Sequence, residues 1–569
     1  MKKIILCLFA ILLGMDTGAY CQQSVAKLEK EIIAGYKKAY PACVKLYTYD
    51  TVTRQQAGGQ FSGVVVSKDG YILTAAHVDM PGRVYMAIFP DGRRCIAVGL
   101  GKIELTEDKT RPDAAMLKMM SGNDWPFAAV ANSDDLKVNE PCLSISYPES
   151  LNQPKPTLRF GYISEVKNER GFIKSTCMME PGDSGGPLFD CLGRVIGIHS
   201  AIEIPEADNY DVPVNVFYKY WNALIKPVVY TSLPAVKSSF PKESLVSKLI
   251  TIPGQNNNAD FNVLKSNLNS DCYFVKSKIK GKEQIVAATL FALRGTDARL
   301  KNASLLISKS SLVGDSVVID GKDAKNLNAI VITRDRSNDL VMLMPAAALP
   351  GGIPFQKNLQ DNAAINTGTI LCSPQPESPA VISILGSDVF RLPKMSCAAF
   401  LGVGFKSKSA PLKIAYIFPK LNKSIYSLNI GDEIICLNRD TLTGFEDFLS
   451  RMNRYWPGDA VTLTVKQNDK IVQQTIILDT IPQRHFDHPA EKFTGGKSLR
   501  RDGFEKVFTH DAILQPYQCG GPVFDDKGAF YGLNIARFSR TSVIALPATV
   551  VYDFIERYLA LTDQATKLN

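Results

Sequence analysis

Residues 41–230 hold no sustained helical period, and short apolar or alternating runs follow one another between Gly, Pro and Asp residues. Gly63–Ser67, Tyr71–Thr74, Val84–Phe89, Ala114–Lys118, Cys142–Ser146 and Arg194–His199 each read as a strand. Side chains alternate faces along an extended backbone, and β-branched and aromatic residues suit a pleated surface. Many short strands with no helix between them predict a barrel or a sandwich. A chain of 569 residues exceeds what a single hydrophobic core serves, so about three domains are expected. The composition, 45% hydrophobic and 21% charged, is that of folded protein. The formal charge of +9 is scattered among acids, not massed in a basic stripe, which argues against nucleic acid as a partner.

Residues 1–21 start Met1-Lys2-Lys3, run through the apolar Ile4–Leu13 and end at Ala19-Tyr20-Cys21 before Gln22. That order is expected of a signal peptide, with export to the periplasm or the exterior. Tyr20 suits a lipoprotein signal poorly, so cleavage after Cys21 is preferred to its lipidation. No later stretch approaches the ~20 apolar residues of a spanning helix, so no membrane span is expected. Ten cysteines lie beyond residue 21, widely spaced and without a Cys-x-x-Cys pair. This predicts neither a metal site nor a readable disulfide pattern, and no cofactor is called for.

An amphipathic helix is expected near Val25–Ala39, and a Pro-, Ser-, Asn- and Lys-rich linker over Tyr230–Asp260. A second strand-rich segment runs from about Cys272 to Leu392. A third, Ala398–Ile481, has strands at Phe400–Phe405, Glu433–Leu437, Val461–Lys466 and Ile471–Leu478, and a helix near Gly444–Trp456. Strand and turn character returns over Phe504–Tyr558, closing in a helix from Ala548. The expected domains are a signal at 1–21, a first barrel unit at 40–228, a linker at 229–262, and a second unit at 263–396 and 483–562. An insert at 397–482 interrupts the second unit.

The chemistry concentrates in three stretches. Thr74-Ala75-Ala76-His77-Val78 sets a histidine where a buried strand ends. Pro112-Asp113-Ala114 puts a carboxylate just before a half-buried strand, and Gly182-Asp183-Ser184-Gly185-Gly186-Pro187 holds a serine in a glycine-rich turn. A serine hydroxyl needs an imidazole to take its proton, and a buried carboxylate to fix the tautomer and stabilise the charged ring. His77, Asp113 and Ser184 supply these roles. The surrounding glycines let the N–H groups of Gly182 and Ser184 converge on one oxyanion.

Together the three motifs resemble the chymotrypsin-like fold, with wording nearest the HtrA proteases, over about residues 40–225. The resemblance implies a mainly β chain with a chymotrypsin-like double β-barrel, and it places Met178 at the base of the specificity pocket, favouring an apolar residue before the scissile bond. Asp183 stands where those proteases carry Asn. It is read as an acceptor that stabilises its own loop, not as the partner of a newly cut N-terminus. His199 is read as structural.

Residues 303–314 can be laid on the first unit so that Ser311 takes the histidine's place, Asp339 the aspartate's and Cys519 of Gln518-Cys519-Gly520-Gly521-Pro522 the serine's. The second unit thus resembles a degenerate trypsin-like barrel unit without a base, and its role is expected to be non-catalytic. In the insert, Phe400-Leu401-Gly402-Val403 and Ile430-Gly431-Asp432 resemble a PDZ domain, whose loop amides receive a terminal carboxylate while the peptide adds as a strand beside Val403–Phe405.

The combined expectation is an exported serine endopeptidase that cleaves unfolded or misfolded polypeptides, with C-terminal peptides as partners at the PDZ groove. The resemblance is compatible with a homo-oligomer. The competing class is a non-proteolytic peptide-binding chaperone or adaptor with a latent protease domain.

Overall fold

The computed structural model describes residues 25–104, 112–236, 271–293, 304–321, 323–355, 366–418, 427–482 and 487–567. The expected signal and most of the expected linker lie outside them. The chain is mainly β and forms a chymotrypsin-like double barrel with further domains. In the first sheet the strands Arg94–Ile103, Val84–Ile88, Cys43–Asp50, Gln55–Val65, Tyr71–Thr74 and Ala114–Met119 follow in spatial order, and the last pairs back onto the first. A second closed barrel holds Pro141–Ser146, Thr157–Glu165, Ile173–Ser175, Pro187–Asp190, Val195–Ile202 and Asn209–Pro213.

The strand Ala114–Met119 differs from the half-buried expectation, since all but Lys118 are buried. Its alternation divides it between two cores: Ala114 and Met116 pack with Val214 and Phe217, while Leu117 and Met119 face the barrel interior with Val44 and Tyr85. Asp113 at its head is thereby set between the two barrels, with none of its surface exposed. The expected helix spans 25–39 and buries Val25, Leu28 and Ile32.

A second pair of sheets repeats the plan. Cys272–Ile279, Val317–Gly321, Ala324–Asp335, Leu340–Pro345, Ser304–Lys309 and Lys282–Ala292 close on one another. Val381–Ile384, Ile370–Ser373, Pro522–Asp525, Phe530–Arg537, Val543–Pro547 and Phe504–His510 form the other sheet, and a helix starts at Ala548. The described residues up to Phe390, with 488–497 and those from 506, pack as one unit, so the two sheet pairs share it.

Residues 391–487 and 498–505 make a separate unit. Its strands run in the order Val403–Phe405, Leu412–Ile417, Glu433–Leu437, Ala460–Gln467 and Lys470–Ile477, beside a helix at Phe445–Met452. The expected strand Phe400–Phe405 is broken at Gly402, whose φ of +85° suits glycine. Val403–Phe405 is an edge strand in that order. Nine of the ten cysteines are buried. No helix among the described residues is long and apolar enough to cross a membrane.

Candidate active site

His77 sits in a single 3₁₀ turn, Ala76–Val78, that follows the strand Tyr71–Thr74. Its Nδ1 lies 2.6 Å from Asp113 Oδ2, and its backbone N–H donates to Asp113 Oδ1 at 2.9 Å. One carboxylate therefore orients both the turn and the ring. Ser200 Oγ donates to the same Oδ2 at 2.7 Å. Burial pulls the imidazole pKa down, but the hydrogen bond and charge of Asp113 outweigh it and leave His77 above its ordinary value.

His77, Gly182, Ser184 and Ser200 line one cavity of about 460 Å³, so groups 107 residues apart in sequence (77 to 184) share a crevice. No hydrogen bond joins Ser184 Oγ to His77 among the described residues. Such nucleophile–base contacts commonly tighten only once substrate is bound. Ser62 N–H donates to Ser184 O at 3.0 Å, and Ser62 Oγ to Gly182 O at 2.8 Å, tying the serine turn to the first barrel. Gly182 has φ +96°, and a Cβ there would lie 2.4 Å from Glu149 N. At Gly185, φ +79°, a Cβ would lie 1.9 Å from Thr74 Oγ1. Neither position accepts a side chain. The amides of Gly182 and Ser184 donate to no protein acceptor among the described residues, which leaves two donors for a developing oxyanion.

Asp183 is fully buried and pairs with the buried Arg159 through two contacts, Nη1 to Oδ2 at 2.6 Å and Nη2 to Oδ1 at 3.1 Å. Ser146 Oγ and the Glu180 N–H also donate to it, each at 2.8 Å. The partner of Asp183 is thus an internal guanidinium. Met178, expected at the base of the specificity pocket, lines a different cavity, of about 430 Å³, with Arg159, Phe160, Thr176 and Asp511. Arg159 Nη1 also donates to Met178 O at 3.2 Å. Met179 and Glu180 line the cavity of Ser184 in its place. Burial and the charge of Asp183 raise the pKa of Glu180.

Ser200, His488 and Pro489 also line the serine cavity and were not anticipated. Ser200 follows His199 on the strand Val195–Ile202, whose last residues border the cavity. His488 and Pro489 lie some 300 residues downstream of the serine (184 to 488) and carried none. His199 is fully buried between Asp211, 2.5 Å from Nδ1, and Ser144 Oγ, 2.7 Å from Nε2. It braces the second barrel and does not line the cavity.

In the second sheet pair Ser311 and Asp339 meet as His77 and Asp113 do: Ser311 N–H donates to Asp339 Oδ1 at 2.8 Å and its hydroxyl to Oδ2 at 2.8 Å. The buried Lys309 ammonium donates to the same Oδ2 at 2.7 Å, a cation on the carboxylate where the first pair has an imidazole. Cys519 is fully buried. Its N–H donates to Pro516 O at 3.3 Å, so the donor at the nucleophile position is consumed. Tyr517, at the place of Gly182, is not among the residues with positive φ, and Pro516–Gln518 forms a 3₁₀ turn instead. His510 is buried between Ser383 Oγ at 3.0 Å and Asn534 Oδ1 at 2.8 Å, and burial lowers its pKa to about 4. In the separate unit, Phe400 and Val403 flank the loop of Leu401 and Gly402, whose carbonyl at Gly402 accepts from Phe418 N–H at 2.9 Å.

Residues 61–198, which hold His77, Asp113 and Ser184, match the model of the trypsin-like peptidase domain. A Halomonas elongata protein named "Probable periplasmic serine endoprotease DegP-like" is 35% identical over 147 residues, 25% of this chain and 29% of its own. Proteins of the same name from Pseudomonas fulva and Hahella chejuensis are 35% identical over 155 residues and 32% over 180. Those matches take in 26% and 30% of this chain and 30% and 36% of the relatives. The chain thus spans about a third of the length of the curated relatives it matches. Around its serine cavity it is similar to trypsin-like peptidases, DegP-like serine endoproteases among them.

Proposed function

We propose that the chain is an exported serine endopeptidase that hydrolyses peptide bonds of unfolded or misfolded proteins in the periplasm. Ser184 Oγ attacks the peptide carbonyl and His77 Nε2 takes its proton. The N–H groups of Gly182 and Ser184 hold the oxyanion, and Asp113 stabilises the imidazolium. His77 then returns the proton to the leaving amine, and water repeats the sequence on the acyl-enzyme. The observation that carries this reading is the 2.6 Å contact of His77 Nδ1 with the buried Asp113, on an imidazole that shares its cavity with Ser184. The second sheet pair is the degenerate unit, with Ser311, Asp339 and Cys519 at the triad positions. The separate unit is a PDZ domain that binds peptide C-termini at Phe400–Val403. Preference for unfolded chains rests on the resemblance to HtrA proteases alone.

A fluorophosphonate probe tests the assignment. The wild type is expected to be labelled at Ser184 and Ser184→Ala to be silent; an unlabelled wild type under every condition favours the peptide-binding adaptor. The His77 geometry adds a pH expectation. The base works only when neutral, and Asp113 raises its pKa. The acid limb of kcat/KM should therefore have its midpoint above the ordinary histidine value of about 6.5. A midpoint well below that value would remove His77 from the role of base.

A further inference from the structure

The turn between the strands Phe530–Arg537 and Val543–Pro547 reaches from the second sheet pair to the loop that carries Ser184. Thr541 Oγ1 and Ser539 Oγ donate to Glu180 Oε1 at 2.9 and 3.1 Å, and Ser150 Oγ adds a third contact at 2.9 Å. Glu180, Ser539 and Thr541 are all buried. The neighbouring Arg540 is fully buried and donates to the carbonyls of Glu203 and Glu206, each at 3.0 Å, and of Pro205 at 3.2 Å. The turn therefore grips two loops of the first barrel pair, 179–183 and 203–206.

Glu180 stands two residues before Gly182, and its own backbone is locked to the serine turn. Its N–H donates to Asp183 Oδ2 at 2.8 Å, and its carbonyl accepts from Asp183 N–H at 3.0 Å. Whatever fixes the Glu180 side chain thus fixes the peptide planes that aim the Gly182 and Ser184 amides. The chain also contains the other shape such a turn can take. At Pro516–Cys519 the corresponding amide folds back onto a carbonyl three residues earlier, and no oxyanion donor is left at the nucleophile position.

We infer that Ser539 and Thr541 are positioning residues for the hydrolysis at Ser184: from the second sheet pair they anchor Glu180 and so hold the oxyanion donors in place. The inference rests on the endopeptidase reading. It gives the second sheet pair a task that needs none of its own triad positions: it supplies, within one chain, the outer support of the catalytic turn. Deleting both hydroxyls strips a buried carboxylate of two of its three side-chain donors, and the turn relaxes toward the 516–519 shape.

The test compares the wild type with Ser539→Ala/Thr541→Val in the full-length chain, each first shown by thermal melting to be folded. The double variant is expected to lose about 10- to 100-fold in kcat and in the rate of fluorophosphonate labelling, because the donors are displaced and not deleted. KM, and competitive inhibition by a peptide lacking an electrophile, should stay within about twofold, since neither uses the oxyanion donors. Thr541→Ser keeps the hydroxyl and should retain wild-type labelling. A folded double variant that labels at the wild-type rate overturns the inference and leaves the endopeptidase reading standing. A wild type that does not label overturns both. If the double variant fails to fold, Thr541→Val alone is measured, and unchanged labelling there overturns the inference equally.

Discussion

Asp113→Asn is expected to cut kcat for peptide hydrolysis by about four orders of magnitude while the chain keeps its thermal melting profile. The Asp113 oxygens accept from the His77 backbone N–H, from His77 Nδ1 and from Ser200 Oγ. An asparagine can keep its oxygen on the backbone N–H, but its NH₂ then faces Nδ1 and the Ser200 hydroxyl. Nδ1 must become an acceptor, so the ring proton moves to Nε2, and the ring can no longer take the proton of Ser184. The serine rotor can turn its own hydrogen away, which is why little stability is lost. Steady-state kinetics on a peptide substrate decide the matter, and a loss of less than about tenfold would remove Asp113 from the triad.

The largest expected effect on stability lies at Arg159. This guanidinium makes both contacts with Asp183 and stands beside Glu180, all three side chains being buried. Arg159→Met takes from the buried Asp183 the cation that pairs with it, and breaking such a pair costs roughly 3–5 kcal/mol. Calorimetry should show a lowered midpoint for the unit that contains residue 159. Glu180 already has a raised pKa. A carboxyl raised in the folded state favours folding below its unfolded pKa and loses that benefit as pH climbs through the folded value. The deficit of Arg159→Met should therefore shrink on acidification as Glu180 takes up a proton. Arg159→Met/Asp183→Leu should recover much of the loss, because the buried charge leaves together with its partner. A single variant as stable as the wild type would mean that water reaches the pair.

What could be read from the sequence follows the range of each interaction. His77 and Asp113 lie beside strands whose alternation is visible locally, and their places needed only those strands to pair. Ser184 is announced by glycines that no side chain could replace, two of which have positive φ. The place of Met178 follows from the family resemblance alone, and nothing in its own stretch announces Arg159, which arrives from a strand 19 residues earlier (159 to 178) and binds the Met178 carbonyl. Ser539, Thr541, His488 and Pro489 reach the catalytic loop only through packing of the two sheet pairs, so nothing in their own neighbourhoods marks them. The apolar residues of Phe400–Phe405 predict a continuous strand, whereas the left-handed backbone of Gly402 divides it.

Lys309 limits what substitutions in the second sheet pair can achieve. A histidine introduced at position 311 would press an imidazole against an ammonium already seated on Asp339, 2.7 Å from its oxygen. Serine at 519 would find its amide engaged by Pro516 and no glycine at 517 to release it. Neither change alone joins a nucleophile to a base, so no single substitution turns the second sheet pair into a hydrolase.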